Sequence, residues 1–108
     1  MARVASGPVA EVRADEGEWR AMGLPGVDRK MLYRDPLSGV RTYLMRLQPG
    51  AVLPPHRHKT PEQCLVVEGD LGWDGQRYRK GDFVVAAAEQ EHTTITSENG
   101  ALVLIVGG

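Results

Sequence analysis

All three histidines of the chain lie in its second half, and two of them are one residue apart. His56 and His58 stand at positions i and i+2, Glu62 follows four residues later, and His92 lies farther along. Side chains of a β-strand alternate between its faces, so His56 and His58 are expected to project together, with Cα atoms roughly 6.6 Å apart. Three imidazoles and a carboxylate form a nitrogen and oxygen set that suits Fe, Mn, Co, Ni, Cu or Zn.

Four protein ligands would leave coordination positions free on an ion that prefers octahedral geometry. Water, a small substrate or dioxygen can take such positions, as catalysis at a metal requires. Each residue alone is weak evidence for a metal site, because a His-x-His pair is common on surfaces and a lone Glu62 is ordinarily a solvated carboxylate. The hypothesis of a metal site therefore depends on His56, His58, Glu62 and His92 taken together.

Short strands are expected to position these side chains. Turn signals recur along the chain, and Asp74-Gly75 and Asn99-Gly100 supply the positive φ angles of tight hairpins. The runs between them are rich in Val, Leu, Ile, Thr and Tyr. They predict nine strands near Val27–Arg34, Val40–Leu47, Val52–His58, Gln63–Glu68, Leu71–Trp73, Gln76–Arg79, Phe83–Ala87, His92–Ser97 and Ala101–Val106. This spacing predicts an all-β sandwich or barrel of antiparallel sheets.

Three local features refine this prediction. Pro54-Pro55 lacks backbone N–H groups, which places the strand before His56 at an edge or a barrel mouth. The segment 15–22 is the one candidate for a helical turn, with Trp19 as its apolar anchor. The strand near Val40–Leu47 has apolar residues on both faces, as expected of a barrel strand that a partner subunit covers, and we therefore predict a homodimer.

Composition limits the class of protein. The chain has 108 residues and a formal net charge of −1, which predicts one domain over residues 1–108 and no nucleic-acid partner. No apolar run is long enough to span a membrane, and the N-terminus lacks the apolar region of a secretory signal. Cys64 is the only cysteine, so no intrachain disulfide can form. We expect a cytoplasmic protein.

The spacing of the glycines and histidines resembles the two motifs of the cupin superfamily. The first motif is matched by Gly50-(x5)-His56-x-His58-(x3)-Glu62-(x6)-Gly69. The second is similar to Gly81-(x5)-Ala87-x-Glu89-(x2)-His92, although Ala87, Glu89 and Thr96 replace the usual Pro, Gly and Asn. The resemblance implies an RmlC-like double-stranded β-helix, or jelly-roll barrel, over residues 27–106, preceded by an N-terminal arm over residues 1–26. It also implies one divalent metal held by the residues equivalent to His56, His58, Glu62 and His92.

Within that superfamily the chain resembles the ChrR-type cupin-like family. The matching residues are Trp19, Pro25-Gly26-Val27, Leu47-x-Pro49-Gly50-Ala51 and Pro54-x-His56. Stand-alone proteins similar to this family include acetylacetone-cleaving dioxygenases with a three-histidine iron site. ChrR itself has an additional N-terminal zinc-binding region with His and Cys ligands, whereas residues 1–27 contain neither. We therefore do not expect an anti-sigma role.

The residues leave several functions open. The first hypothesis is a non-haem oxygenase, with Fe(II) as the expected metal, that acts on a small organic substrate. The alternatives are a non-catalytic module that binds a metal or senses a small molecule, and a metal-free scaffold. The candidates for lining the pocket are Tyr43, Met45, Arg46 and Cys64. Arg46 is ambiguous, because it could anchor an anionic substrate or pair with Glu68 on the outside.

Overall fold

The fold is known from a computed structural model, which describes residues 7–107. The predicted arm thus begins, and the predicted domain ends, outside the described residues. Between residues 7 and 107 the chain forms nine strands: β1 Trp19–Ala21, β2 Val27–Arg34, β3 Arg41–Leu47, β4 Val52–Leu53, β5 Glu62–Trp73, β6 Gln76–Arg79, β7 Phe83–Ala86, β8 Ile95–Thr96 and β9 Ala101–Gly107. No helix in this part of the chain is long and apolar enough to cross a membrane.

The strands form a curled sheet in which every pair is antiparallel. One half has the order β1-β2-β3-β9-β5-β7, and the other half contains β6, β8 and β4. The long strand β5 belongs to both halves. Its first part pairs with β7 and β9, and its last part pairs with β6 and β8. The sheet therefore folds over itself and encloses its inner face.

The core lies between the two halves. Burial alternates along β3 and β9, so that Met45 and Leu47 on β3 and Val103 and Ile105 on β9 point inward. These residues form one cluster with inward side chains of β2, β4, β5 and β8. Burial of such aliphatic side chains stabilises the fold by about 1.5–3 kcal/mol each.

The strand prediction is wrong at four places, of which three concern β1, β4 and β8. The segment around Trp19 forms β1, which pairs with β2, instead of a helical turn. The strand expected over Val52–His58 ends at Leu53, because Pro54 and Pro55 cannot donate ladder hydrogen bonds. The strand expected over His92–Ser97 is confined to Ile95–Thr96.

Strand β5 joins two strands that the sequence predicts as separate. Glu68-Gly69-Asp70 has the composition of a turn, yet it continues the strand, with a register shift between Val66 and Glu68. Gly69 has a φ of +80°, and a Cβ at this position would lie 1.9 Å from the carbonyl oxygen of Gly100. A glycine is therefore needed here for a bend inside a strand.

Candidate metal centre

The three histidines come from two segments that are tied together by their backbones. The amide of His92 donates to the carbonyl of His56 over 3.2 Å, and the amide of Glu89 donates to the carbonyl of His58 over 2.7 Å. Between these bonds, Arg57 and Glu91 form an isolated antiparallel bridge. The segment after Pro55 thus keeps the extended geometry that brings both of its histidines to His92.

Their imidazole rings converge on one point. One ring nitrogen from each of His56, His58 and His92 lies within 4.8 Å of the others. The Nε2 atoms of His56 and His92 are 3.2 Å apart. The centroid of the His58 ring lies 4.4 Å from that of the His56 ring and 5.7 Å from that of the His92 ring. Three imidazole nitrogens at these separations can bind one metal ion.

The other nitrogen of each ring faces an oxygen. Nδ1 of His56 donates to the carbonyl of Pro54 over 3.1 Å, and Nδ1 of His92 donates to the carbonyl of Thr93 over 2.6 Å. Nδ1 of His58 lies 3.3 Å from Oε2 of Glu62. A proton on each Nδ1 leaves a lone pair on each Nε2, which is the form in which neutral histidine binds metals.

Two observations show that this donor set fits a cation. The Nε2 atom of His58 is buried and has no hydrogen-bond partner among the described residues, and such an orphan atom costs free energy unless something binds it. The facing lone pairs on Nε2 of His56 and His92 repel each other at 3.2 Å unless positive charge lies between them. A metal ion would resolve both conflicts.

Glu62 stands outside the group of converging nitrogens. It begins β5, is buried, and directs its carboxylate to Nδ1 of His58. Gly107 on β9 makes room for it, because a Cβ there would lie 3.1–3.2 Å from the Cα, Cβ and Cγ atoms of Glu62. In this geometry Glu62 contacts one of the histidines.

Burial dominates the electrostatics of the centre. It raises the pKa of Glu62, an effect that the nearby charges of His56 and Arg41 oppose. It lowers the pKa of His58, and the charges of His56, His92 and Arg41 act in the same direction. Both effects favour neutral forms, and a neutral His58 is the state able to bind a metal.

A small cavity of about 50 Å³ lies beneath the histidines. Among residues 7–107, its polar lining consists of His56, Glu62 and His92, without a lysine or arginine. The remaining lining residues are Met22, Met45, Leu53, Cys64, Leu71, Trp73, Ala86, Ile95, Val103 and Ile105. Burial, together with the charge of Glu62, raises the pKa of the Cys64 thiol to about 12, so Cys64 is a neutral, apolar part of this wall.

The four residues predicted to line the pocket have different positions in the structure. Met45 and Cys64 line the cavity, whereas Tyr43 is buried beside it without lining it. Burial, chiefly, raises the pKa of Tyr43 to about 12. The interpretation of Arg46 as a substrate anchor is wrong, because Arg46 points to the outer face of β3. There it pairs with Asp28 at 3.3 Å and lies 4.1 Å from the ring centre of Trp19.

Sequence reasoning missed three contributors to the centre. The ring of Trp73 lies 5.4 Å from that of His92 and lines the cavity. Met22 reaches the cavity from the connection after β1. Arg41 lies on the inner row of β3, with its guanidinium 5.7 Å from the ring centre of Tyr43. Strand alternation from Leu71 could have indicated Trp73, but no sequence signal marks Met22.

Residues 9–108 match the family model described as the ChrR cupin-like domain. The chain belongs to this ChrR cupin-like family. The family match and the curled antiparallel sheet confirm both the predicted resemblance and the predicted fold class. No curated protein matches the chain significantly.

The ChrR cupin-like chain is similar to several solved structures. In the complex of Rhodobacter sphaeroides SigE with the anti-sigma ChrR, the matching chain is 26% identical, with a TM-score of 0.75 over 89% of this chain and 51% of that chain. This chain thus spans about half the length of that relative. An acetylacetone dioxygenase from Acinetobacter johnsonii is 10% identical, with a TM-score of 0.78 over 99% of this chain and 77% of that chain. KdgF from Halomonas sp. is 24% identical, with a TM-score of 0.74 over 91% and 94%. The last two likenesses show the fold.

Proposed function

We propose that this protein is a metal-dependent enzyme of the non-haem oxygenase class that acts on a small organic substrate. The convergence of three imidazole nitrogens within 4.8 Å carries the proposal. The Nε2 atoms of His56, His58 and His92 would hold the ion. We propose Fe(II) as that ion, because the sequence resemblance to acetylacetone-cleaving dioxygenases implies a three-histidine iron site. When bound, Fe(II) would supply the redox chemistry that activation of dioxygen requires. Mn, Co, Ni, Cu and Zn also suit this donor set.

The residues around the ion would have distinct roles. Glu62 would accept a hydrogen bond from Nδ1–H of His58 and so hold that ring in the orientation that presents Nε2. The carbonyls of Pro54 and Thr93 would do the same for His56 and His92. Direct binding of Glu62 to the metal, as the sequence motif implies, stays a prediction.

The cavity favours a small substrate whose part away from the metal carries no formal charge. Its wall away from the histidines is apolar, and none of the described residues in that wall has a cationic side chain that could pair with a carboxylate. A carboxylate in such a wall would lose its hydration without compensation. We therefore expect substrates whose part away from the metal is uncharged, such as β-diketones, to be favoured over substrates that carry a carboxylate at that end.

Anaerobic purification with quantitative metal analysis tests the proposal. It is followed by oxygen-uptake assays with β-diketones, keto acids and thiols. We expect stoichiometric iron and uptake with at least one neutral diketone, and His58→Ala should lose both the metal and the uptake. Tightly bound stoichiometric zinc, with no oxygen uptake for any substrate class, would overturn the oxygenase proposal.

A second candidate function is a non-catalytic metal-binding or sensing module. The similarity to a chain of the SigE–ChrR complex, at 26% identity, favours it. This function predicts that the metal stays bound in the presence of every substrate tested and that no substrate is turned over. It also predicts that the protein binds a small molecule. In either case we propose a small-molecule ligand, a cytoplasmic location and a homodimer.

A further inference from the structure

Four arginines lie on one face of the sheet, toward its β1 edge. Arg20 on β1 pairs with Arg29 on β2, and Arg34 on β2 pairs with Arg41 on β3. Directly paired residues project to the same face, and Arg29 also pairs with Met45, a side chain of the core. Arg41 and Met45 are four residues apart on β3, so strand alternation puts both on that face. The four arginines therefore extend the inner face of the sheet beyond the core.

Each of the two arginine pairs brings like charges together. Like charges directly opposite each other on neighbouring strands destabilise a sheet. On the other face, the same strands β2 and β3 oppose Asp28 and Arg46, which form an ion pair at 3.3 Å. In the described part of the chain, the guanidinium groups of Arg29, Arg34 and Arg41 form neither an ion pair nor a hydrogen bond. Such uncompensated violations of a local rule are expected at functional sites.

Tyr43 lies between the two arginine pairs. It pairs with Met31, in the row between that of Arg29 and that of Arg41. The guanidinium carbons of Arg29 and Arg41 lie 5.8 and 5.7 Å from the centre of its ring, a distance at which the ring attracts a cation. The hydroxyl group of Tyr43 makes no hydrogen bond within the part of the chain that the structure describes. One tyrosine thus draws a member of each pair toward it and adds a hydroxyl donor.

An open groove of about 380 Å³ lies beside the first pair and is lined by Glu18, Arg20, Arg29 and Met31. Glu18 and Arg20 form an ion pair at 2.7 Å, which leaves the charge of Arg29 uncompensated in the groove. Sites that bind small molecules have volumes of about 300–1,000 Å³. None of the four arginines lines the cavity beneath the histidines. A ligand held here is therefore distinct from a substrate at the metal.

A small molecule with two separated carboxylates matches this arrangement. A guanidinium group binds a carboxylate through two parallel hydrogen bonds. One carboxylate at each arginine pair removes the repulsion within that pair, and the apolar surface of Met31 and Tyr43 between the pairs contacts the carbon chain that joins the carboxylates. We propose that the four arginines form a second ligand site, which binds a small dicarboxylate. The proposal does not depend on the oxygenase function.

Calorimetric titration of the metal-loaded protein with succinate, glutarate and adipate, at constant ionic strength, tests the proposal. We expect the best of the three to bind about tenfold or more tightly than acetate, which has one carboxylate. Arg29→Gln and Arg41→Gln should each weaken that binding by about tenfold or more, the usual effect of losing hydrogen bonds to a charged group. Arg79→Gln is the matched control, since Arg79 is an exposed arginine on strand β6. It should bind the dicarboxylate as wild type does.

His58→Ala separates the arginine site from the metal, which could also bind a carboxylate. This variant should bind the dicarboxylate as wild type does, and its own metal content and oxygen uptake test the proposed function alone. Circular dichroism shows whether each variant folds, and if Arg29→Gln does not fold, Arg41→Gln decides the result. Dicarboxylates that bind no better than acetate overturn the proposal, as does binding that neither arginine variant weakens or that His58→Ala loses. Equal loss in Arg79→Gln also overturns it, because net charge would then explain the attraction.

Discussion

The two nitrogens of each histidine ring lie in different surroundings. Nδ1 faces an oxygen in all three rings, and Nε2 faces the common centre in His56 and His92. Residue types and spacing alone could predict that these histidines meet, because strand alternation and the motif agree. They could not predict the carbonyls of Pro54 and Thr93 as partners, since any residue supplies a carbonyl. Likewise, both faces around Arg46 are apolar, so alternation could not decide which way it points.

Glu62 offers a test at this scale. If its carboxylate orients His58, Glu62→Ala should weaken metal binding by about 10–100-fold, the usual effect of losing such a partner. Glu62→Gln keeps a hydrogen-bond acceptor and should cost about tenfold or less. Competition with a chromogenic chelator measures both affinities. A loss in Glu62→Gln as complete as that in His58→Ala would show instead that Glu62 binds the metal directly.

At the scale of elements, the turn before His92 departs most from the motif. Glu89 stands where the usual cupin motif has glycine, and it keeps a φ of +60°. Its amide still bonds to the carbonyl of His58. The turn therefore retains the left-handed backbone that glycine adopts freely, and a side chain there costs about 1 kcal/mol or more.

Substitution of this glutamate should relieve the strain. We expect Glu89→Gly to raise the free energy of unfolding by about 0.5–1 kcal/mol, after the greater freedom of glycine in the unfolded chain is subtracted. Glu91→Gly, two residues later and without a positive φ, should lower it by about 0.5–1 kcal/mol. Urea titration monitored by tryptophan fluorescence measures both changes. If both variants were destabilised to a similar extent, the hypothesis that the backbone at Glu89 is strained would be wrong.

The connection between β8 and β9 is held by Asp70 on β5. Its carboxylate accepts bonds from the amide of Glu98 over 3.0 Å and from the side chain of Asn99 over 2.7 Å. Burial opposes its charge, but these bonds and the nearby Arg77 outweigh it and lower the pKa of Asp70 below 3.8. The charged carboxylate is thus better stabilised in the folded chain than in the unfolded one.

This difference predicts a dependence on pH. Asp70→Ala should lower the free energy of unfolding by about 1–3 kcal/mol at pH 7. A lowered folded pKa gives a stabilisation that is complete above the unfolded pKa and is lost as pH falls through the folded pKa. The difference in free energy of unfolding between wild type and Asp70→Ala should therefore become smaller as the pH falls. Urea titrations at pH 7, 4 and 3 measure it, with the exposed Asp15→Ala as control. A gap independent of pH would contradict the assignment.

Sequence patterns located most strands but not the way they join. Strands β2 and β6 have the predicted bounds, since turn signals flank both. The sequence predicts two strands in place of β5, because Glu68-Gly69-Asp70 has the local composition of a turn. Its bend instead accommodates the backbone of Gly100, a contact about thirty residues away in sequence. A local pattern cannot contain such a partner, nor could it place Trp19 in an edge strand that depends on β2.

For the whole molecule, metal binding and folding should be coupled. The three histidines come from two segments, and their geometry exists only when both are in place. A metal at 100 times its dissociation constant should then add about 2.7 kcal/mol to the free energy of unfolding. We expect a chelator to lower the melting temperature of the loaded protein by several degrees. His56→Ala should melt at the same temperature with and without chelator, and a shift that persists in it would place the metal elsewhere.

The strand that belongs to both halves has a further consequence. β5 pairs with β7 and β9 through its first part and with β6 and β8 through its last part. Neither half can open alone without breaking bonds along the same strand. Amide hydrogens of β5, β9 and β6 should therefore exchange with deuterium in a single slow class, at the rate set by global unfolding.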